Sequence, residues 1–297
     1  MRSLPFCQYD AFTRTPLQGN PCAIIYDADD LAEHEMQALA LEMNLSETSF
    51  VMGSAVADFR FRYFTPAEEI PLAGHPTIAT VASLVESGRL KLSGDSIQIS
   101  VELTAGVIDV DVVRDDGAVP TIVMEQKQPE FLRTYDAADV MPAFCLTSND
   151  ALESVPIRTV STGTPQVMIP VRGHEVLRRA QLDIARYRVL KDTGDFFSPH
   201  LFCLDGFTVE GDTSARHFGL PPDTLEDPFT GSATGGMAAY LWRYGLIDSP
   251  IFVAEQGHWM GRPGRASVEI KGPPDAIQSV RVGGTAVKVV EGSVFLP

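Results

Sequence analysis

Apolar and polar residues alternate along most of this chain, and only a few stretches change to the spacing of a helix. Leu4 to Phe12 and Pro21 to Tyr26 read as two strands joined through Pro16-Leu17-Gln18-Gly19-Asn20-Pro21, an opening hairpin. Met36, Leu39, Ala40, Leu41 and Met43 then fall on one helical face, with Asp30 and Glu33 as an acidic start signal and Asn44 as the stop. Leu45-Ser46-Glu47-Thr48-Ser49-Phe50-Val51 returns to β-branched and aromatic residues, which puts Glu47 at a helix-to-strand junction. From Asp58 to Phe64, Phe59, Phe61 and Tyr63 alternate with Arg60 and Arg62, the pattern of a strand with one buried face. Three more alternating runs follow a short apolar helix: Ile97 to Leu103, Ile108 to Val112, and Ile122 to Met124, with Asp115-Asp116-Gly117 as a tight turn.

The pattern loosens between Gln126 and Val155, where Asp136 to Val140 reads as a short helix, and then resumes. Strands are predicted at Ile157 to Val160, Val167 to Val171 and Leu201 to Leu204, a helix at Glu175 to Tyr187, and closing strands at Ile251 to Glu255, Ala266 to Ile270, Val280 to Val282, Ala286 to Val290 and Ser293 to Leu296.

Two segments stand out because small residues lead straight into an apolar helix. Glu69-Ile70-Pro71-Leu72-Ala73-Gly74-His75-Pro76-Thr77 runs into Ile78 to Val85, and Glu226-Asp227-Pro228-Phe229-Thr230-Gly231-Ser232-Ala233-Thr234-Gly235-Gly236 runs into Met237 to Trp242. A helix start offers free backbone N–H groups and the positive end of the dipole, so each segment is a candidate anion cradle. At one offset without gaps, Glu69, Pro71, Gly74, Thr77, Ala82, Leu84 and Gly88 match Glu226, Pro228, Gly231, Thr234, Ala239, Leu241 and Gly245. This is the signature of a duplicated unit. The expected organisation is two similar lobes, 1–125 with the C-terminal strand from about 285 to 297, and 126–284.

At 297 residues the chain is near the size at which one core divides into two. Its 23 Lys and Arg against 39 Asp and Glu give a formal charge of −16, which argues against nucleic acid or an anionic membrane surface as a partner. An anionic substrate must then be held by local dipoles. No apolar run reaches the roughly 20 residues of a membrane helix. Cys7, Cys22, Cys145 and Cys203 lack metal or redox spacing, and the first residues, Met1-Arg2-Ser3-Leu4-Pro5-Phe6, lack a signal-peptide apolar region, so a cytoplasmic protein with reduced thiols is expected. Six histidines without HxH or HExxH spacing predict no metal site. Neither GxGxxG nor GxxxxGK[ST] occurs, which removes the common nucleotide-binding classes.

Glu47 is a candidate general acid/base, although a Glu after a helix is also read as a solvated or capping residue. His75 and Asp227 lie inside the cradles, within reach of anything bound there; the alternatives are an N-cap for His75 and a turn-stabilising bond for Asp227. Ser232 either caps its helix or holds a ligand oxygen, and Gly74 and Gly231 allow close approach to the backbone.

Five motifs in order carry a family resemblance: Gly19-Asn20-Pro21; Leu45-Ser46-Glu47-Thr48-Ser49-Phe50; Phe64-Thr65-Pro66 with Glu69-Ile70-Pro71-Leu72-Ala73-Gly74-His75; Glu226-Asp227-Pro228 with Thr230-Gly231-Ser232-Ala233; and Gln256-Gly257 with Met260-Gly261-Arg262-Pro263. Together they resemble the PhzF family of phenazine-biosynthesis isomerases. The resemblance implies an α+β, diaminopimelate-epimerase-like fold of two lobes, each a curved, mostly antiparallel sheet around a central helix. It also implies an active site in the cleft between the lobes, a C-terminal strand that returns to the first lobe, a homodimer, and no cofactor. By the same resemblance Glu47 corresponds to a proton-shuttling carboxylate, His75 and Asp227 to residues that position substrate and assist protonation, and Gly74, Gly231 and Ser232 to carboxylate-binding helix starts. Related racemases place a cysteine before each cradle glycine, where this chain has Ala73 and Thr230. The chain also has Ala73 where many members of the family have Cys, Pro76 and Phe229 where many have Ala, and Gly264 where many have Ser, so a pocket that is narrower or differently shaped beside Phe229 is expected. The resulting expectation is an isomerase that moves a proton on a small carboxylate-bearing substrate through one carboxylate. A racemase, epimerase or dehydratase on the same scaffold, or a binding protein without catalysis, is the alternative.

Overall fold

A computed structural model describes residues 2–114, 119–221 and 223–297. The predicted turn at Asp115-Asp116-Gly117 lies outside the described residues. In chain order the elements are β1 (Arg2–Ala11), β2 (Asn20–Ile25), α1 (Glu33–Met43), β3 (Glu47–Met52), β4 (Phe59–Phe64), β5 (Glu69–Ile70), α2 (Gly74–Glu86), β6 (Ser96–Leu103), β7 (Gly106–Val113) and β8 (Thr121–Gln126). There follow β9 (Glu130–Tyr135), α3 (Ala137–Val140), β10 (Ile157–Ser161), β11 (Pro165–Pro170), α4 (His174–Arg179), α5 (Ile184–Thr193), β12 (Ser198–Cys203), β13 (Thr213–Phe218), β14 (Glu226–Asp227), α6 (Gly231–Arg243), β15 (Ile251–Gln256), β16 (Gly264–Lys271), β17 (Ser279–Gly284) and β18 (Ala286–Leu296). The chain divides into two units, Met1–Met124 with Gly283–Pro297, and Glu125–Val282.

In the first unit β1 and β2 form the opening hairpin, and β18 lies antiparallel along the other side of β1 from Arg2↔Leu296 to Ala11↔Ala286. β2 and β3 pair in parallel, β3 and β4 antiparallel, β4 takes the short β5 antiparallel and β6 in parallel, and β6 pairs antiparallel with β7. The second unit runs through the same series. β10 and β11 are antiparallel, β11 and β12 parallel, β12 and β13 antiparallel, β13 takes β14 antiparallel and β15 in parallel, and β15 pairs antiparallel with β16. The duplication read from the cradles extends through this series of strand pairings, β1 to β7 in one unit and β10 to β16 in the other.

Each unit holds one helix inside its sheet and other helices outside. Residues His75 through Leu84 of α2 are all buried, as are Ala233 through Leu241 of α6, so neither helix shows a polar face. On the outer side of the first unit, Met36, Leu39 and Ala40 of α1 pack with Ile25, Phe50 and Phe64. In the second, Val176 and Leu177 of α4 and Tyr187 and Leu190 of α5 pack with Val167, Ile169, Leu201 and Phe218.

Three local expectations change. The helix expected from Glu175 to Tyr187 is two helices, because Ala180 is extended (φ −59°, ψ 130°) and Asp183 starts a new one by accepting the Arg186 amide at 3.0 Å. The start of α1 is not set by Asp30: Ala32 is the N-cap residue, and the Glu35 carboxylate accepts its amide at 2.9 Å. The stop at Asn44 is as expected, in the left-handed region at φ 50°. The separate closing pieces at Ala286–Val290 and Ser293–Leu296 are one strand, β18.

Candidate active site

In the first unit the turn from β1 to β2 sets the site. Gly19 has φ 60°, and a Cβ there would stand 2.1 Å from the Ala11 carbonyl oxygen, so only glycine lets the hairpin close and deliver Asn20 as the first residue of β2. β3 lies parallel to β2 with Cys22 opposite Glu47 and so brings Glu47 to the same neighbourhood. From the third direction comes α2, which begins at Gly74 and whose second residue is His75. His75 Nδ1 lies 3.1 Å from Glu47 Oε2 and 3.1 Å from Asn20 Nδ2. His75 is 4% exposed, and burial pushes its imidazole down to about 3, against a smaller opposing effect of the Pro21 backbone; the ring is neutral at ordinary pH.

His75 is not an N-cap. That position belongs to Ala73, in extended backbone, whose methyl group cannot accept the first-turn amides. Thr77 turns back to donate to the Ala73 carbonyl at 2.7 Å, and the Tyr63 hydroxyl meets the Thr77 hydroxyl at 2.7 Å.

The second unit builds its helix start in the same way. Thr230 is the N-cap residue of α6 but makes no side-chain cap bond; its hydroxyl instead donates to Asp227 Oδ2. Thr234 repeats the role of Thr77 by donating to the Thr230 carbonyl at 3.0 Å. Ser232, expected to cap or to bind, is not the cap: its hydroxyl accepts from Gln166 Nε2 at 2.9 Å.

Glutamines brace the loop. Gln256 donates to the Asp227 carbonyl at 2.7 Å and accepts the Thr230 amide at 3.2 Å, while Gln126 donates to the Gly231 carbonyl at 2.9 Å. A Cβ on Gly235 would lie 1.8 Å from the Gln126 amide oxygen, and one on Gly236 2.6 Å from the Met168 methyl, so the Gly-Gly pair exists to let these side chains reach the helix.

Asp227 sits opposite His217, and His217 opposite His200, in one cross-strand row. The two rings meet Nδ1 to Nδ1 at 3.3 Å, so one donates and the other accepts. Burial lowers both, His217 to about 3.

Phe229 precedes the cap residue Thr230 at the α6 start. It is fully buried, and a Cβ at Gly264 would come within 2.7 Å of its ring, so the large residue and the missing side chain fit each other.

Glu47, Gly74 and His75 therefore belong to the first unit, and Asp227, Gly231 and Ser232 to the second. Asn20, Gln126, Gln166, Gln256, His200 and His217 were not singled out as candidates from the sequence. Asn20 and Gln256 lie within the quoted motifs, and that was their only local signal.

The family described as phenazine biosynthesis-like protein, PhzC-PhzF, matches residues 9–292. The chain belongs to this family. It is 35% identical over 290 residues to the uncharacterized isomerase YfhB of Bacillus subtilis, covering 97% of both chains. It is 31% identical over 290 residues to the trans-2,3-dihydro-3-hydroxyanthranilate isomerase of Pseudomonas aeruginosa, covering 97% of this chain and 98% of the relative. The crystal structure of the Bacillus anthracis PhzF family protein superimposes with a TM-score of 0.90 at 34% identity, with 100% of each chain covered. A hydroxyproline epimerase from Agrobacterium vitis shares the fold at a TM-score of 0.69 and 10% identity. The expected family and the epimerase-like fold are both found, and the chain is an enzyme of an isomerase family.

Proposed function

We propose that the protein is a cofactor-independent isomerase that takes a proton from carbon in a small, unsaturated or amino-substituted carboxylate and returns it at another carbon of the same molecule. The observation that carries this reading is Glu47 Oε2 lying 3.1 Å from the ring of a buried, neutral His75 at the start of α2. A cation at that distance would weaken a carboxylate as a base, and burial removes that cation.

In the proposed reaction a C–H bond breaks and its proton passes to a Glu47 oxygen, while the electron pair spreads into the conjugated system. Glu47 then gives the proton to a different carbon and is restored as the carboxylate. No electrons enter or leave. The α2 start at Gly74, whose cap residue has no hydrogen-bonding side chain, supports binding of substrate charge near Glu47. On α6 we take Gly231 and Ser232 as carboxylate-binding positions, because the hydroxyl of the cap residue Thr230 is turned to Asp227 and away from the first-turn amides, and Asp227 as a group that assists protonation. Two-thiol racemisation finds less support, because Ala73 and Thr230 hold the two N-cap positions. The relative from P. aeruginosa acts, by its name, on a cyclic carboxylate, and we propose a substrate of that class, used by a homodimer in the cytoplasm.

The test is incubation with trans-2,3-dihydro-3-hydroxyanthranilate and a panel of cyclic and amino-substituted acids in deuterated water, read by mass spectrometry. Glu47→Gln keeps shape and removes the base, so turnover and solvent exchange should fall by about 10²–10⁴-fold in a folded protein. Wild-type exchange in that variant would remove Glu47 from the role.

A further inference from the structure

The two units repeat one arrangement of three side chains with different chemistry. Gly19-Asn20-Pro21-Cys22 leads into β2 and Gly163-Thr164-Pro165-Gln166 into β11. In the parallel ladder that each strand then makes, Cys22 stands opposite Glu47 and Gln166 opposite Ser198. The offset that matches Gly74 to Gly231 also matches His75 to Ser232. Where the first unit has Cys22, Glu47 and His75, the second therefore has Gln166, Ser198 and Ser232, and none of these three exchanges a proton near neutral pH. The copy in the second unit can hold a ligand group by hydrogen bonds but cannot serve as a base.

Gln166 sets which kind of group that copy can hold. It is 1% exposed, and its Nε2 donates to Ser232 Oγ at 2.9 Å, while its Oε1 is buried without a hydrogen-bond partner among the described residues. Turning the amide over would exchange that under-satisfied carbonyl for a second orphaned N–H, the rarer of the two defects. A hydroxyl has one proton and two lone pairs, so Ser232 accepts from Gln166 and keeps its proton. Thr77 and Thr234 direct theirs back to the carbonyls of Ala73 and Thr230, whereas Gln166 is the one hydrogen-bond partner of the Ser232 hydroxyl among the described residues. We propose that Gln166 is a positioning residue that keeps the Ser232 proton for a carboxylate oxygen bound at the start of α6. With the amide reversed, Ser232 would donate to Gln166 and turn its lone pairs to the ligand, which repels an anion. The unpartnered Oε1 is the consequence of presenting the amide nitrogen to the serine. This rests on the reading of the α6 start as a carboxylate-binding position.

The first measurement needs no ligand: side-chain amide ¹H–¹⁵N correlation of the full-length protein, with the Gln166 pair assigned by its loss in Gln166→Met. In Ser232→Ala one of the two Gln166 protons should lose its hydrogen bond and move upfield. Two unmoved protons in a folded Ser232→Ala protein would put the amide oxygen against the serine and overturn the proposal. The second measurement is calorimetric titration with 2-aminobenzoate, a cyclic, amino-substituted carboxylate. Gln166→Met removes the orphaned amide and should keep or raise the thermal midpoint, yet weaken binding by about tenfold, the order expected for one hydrogen bond to a charged acceptor. Ser232→Ala should weaken it by a similar factor and the double variant no further, because Gln166 acts only through the serine. A merely structural role would lower the thermal midpoint and add its effect to that of Ser232→Ala, and this result would overturn the proposal. Undiminished binding in Gln166→Met removes the proposal and leaves the carboxylate reading standing, whereas a wild-type protein that does not bind the probe removes both, so the two failures can be told apart.

Discussion

Arg216 and Glu226 meet through two parallel hydrogen bonds, Nε to Oε1 at 2.7 Å and Nη2 to Oε2 at 2.6 Å, and Arg62 and Glu69 form the same fork at 2.7 and 2.6 Å. In each unit the arginine lies over the aromatic ring two residues on, Phe218 or Phe64, and that ring's residue pairs across the ladder with the glutamate. The fork locks a two-residue strand that could not hold itself, and that strand carries the chain into the helix start. Arg216 also donates to the Leu177 and Ala180 carbonyls at 2.8 and 2.7 Å.

Breaking one fork strands a charge that is mostly withdrawn from water. Glu226→Gln is expected to destabilise the protein by about 3 kcal/mol, at the low end of the cost for a broken buried pair. Urea unfolding with an unchanged m-value measures it. A loss well under 1 kcal/mol would mean that the fork holds nothing together.

Acid should weaken the fold before it titrates any surface carboxylate. His75 and His217 are depressed to about 3 and His200 is also lowered, all by burial. Once unfolded they regain ordinary values near 6.5, so the unfolded chain binds more protons between those limits and stability falls as pH falls through that window. Each residue contributes up to about 1.4 kcal/mol per pH unit there. Denaturant midpoints taken from pH 7 down to pH 5 should drop steadily; a flat profile would show that these rings are protonated in the native state.

The Phe229–Gly264 fit should appear as coupling between two substitutions. Gly264→Ser puts a side chain where the ring lies and should cost about 1–3 kcal/mol as overpacking. Adding Phe229→Ala to that variant removes the clash, and the pair should be more stable than the sum of the single changes by about 1 kcal/mol or more. Simple additivity would place the ring elsewhere.

Of the four cysteines, Cys145 is exposed, whereas Cys7, Cys22 and Cys203 are buried and burial pushes their thiols up, Cys7 and Cys203 to about 11. Brief alkylation of the native protein should therefore add one label, at Cys145, and leave isomerase activity intact. Labelling of a buried thiol with loss of turnover, in protein that remains folded, would give thiol chemistry a role.

The sequence alone determined what depends on local order. Alternation marked the strands, small residues before apolar runs marked the two helix starts, and seven matches at one offset revealed the repeat, because a duplicated unit keeps its turn and helix-stop residues in phase. Tertiary structure alone decided which residues meet. Asn20 and His75 are 55 positions apart and Gln166 and Ser232 are 66 apart, and nothing in the neighbouring sequence of either pair names its partner. Parallel pairing of β2 with β3, and the arrival of α2 beside them, turn three ordinary polar residues into one cluster around a buried ring. The broken helix at Ala180 and the match of Phe229 to Gly264 escaped the sequence for the same reason: periodicity records which face a residue shows, whereas the space on that face is set by distant segments of the chain.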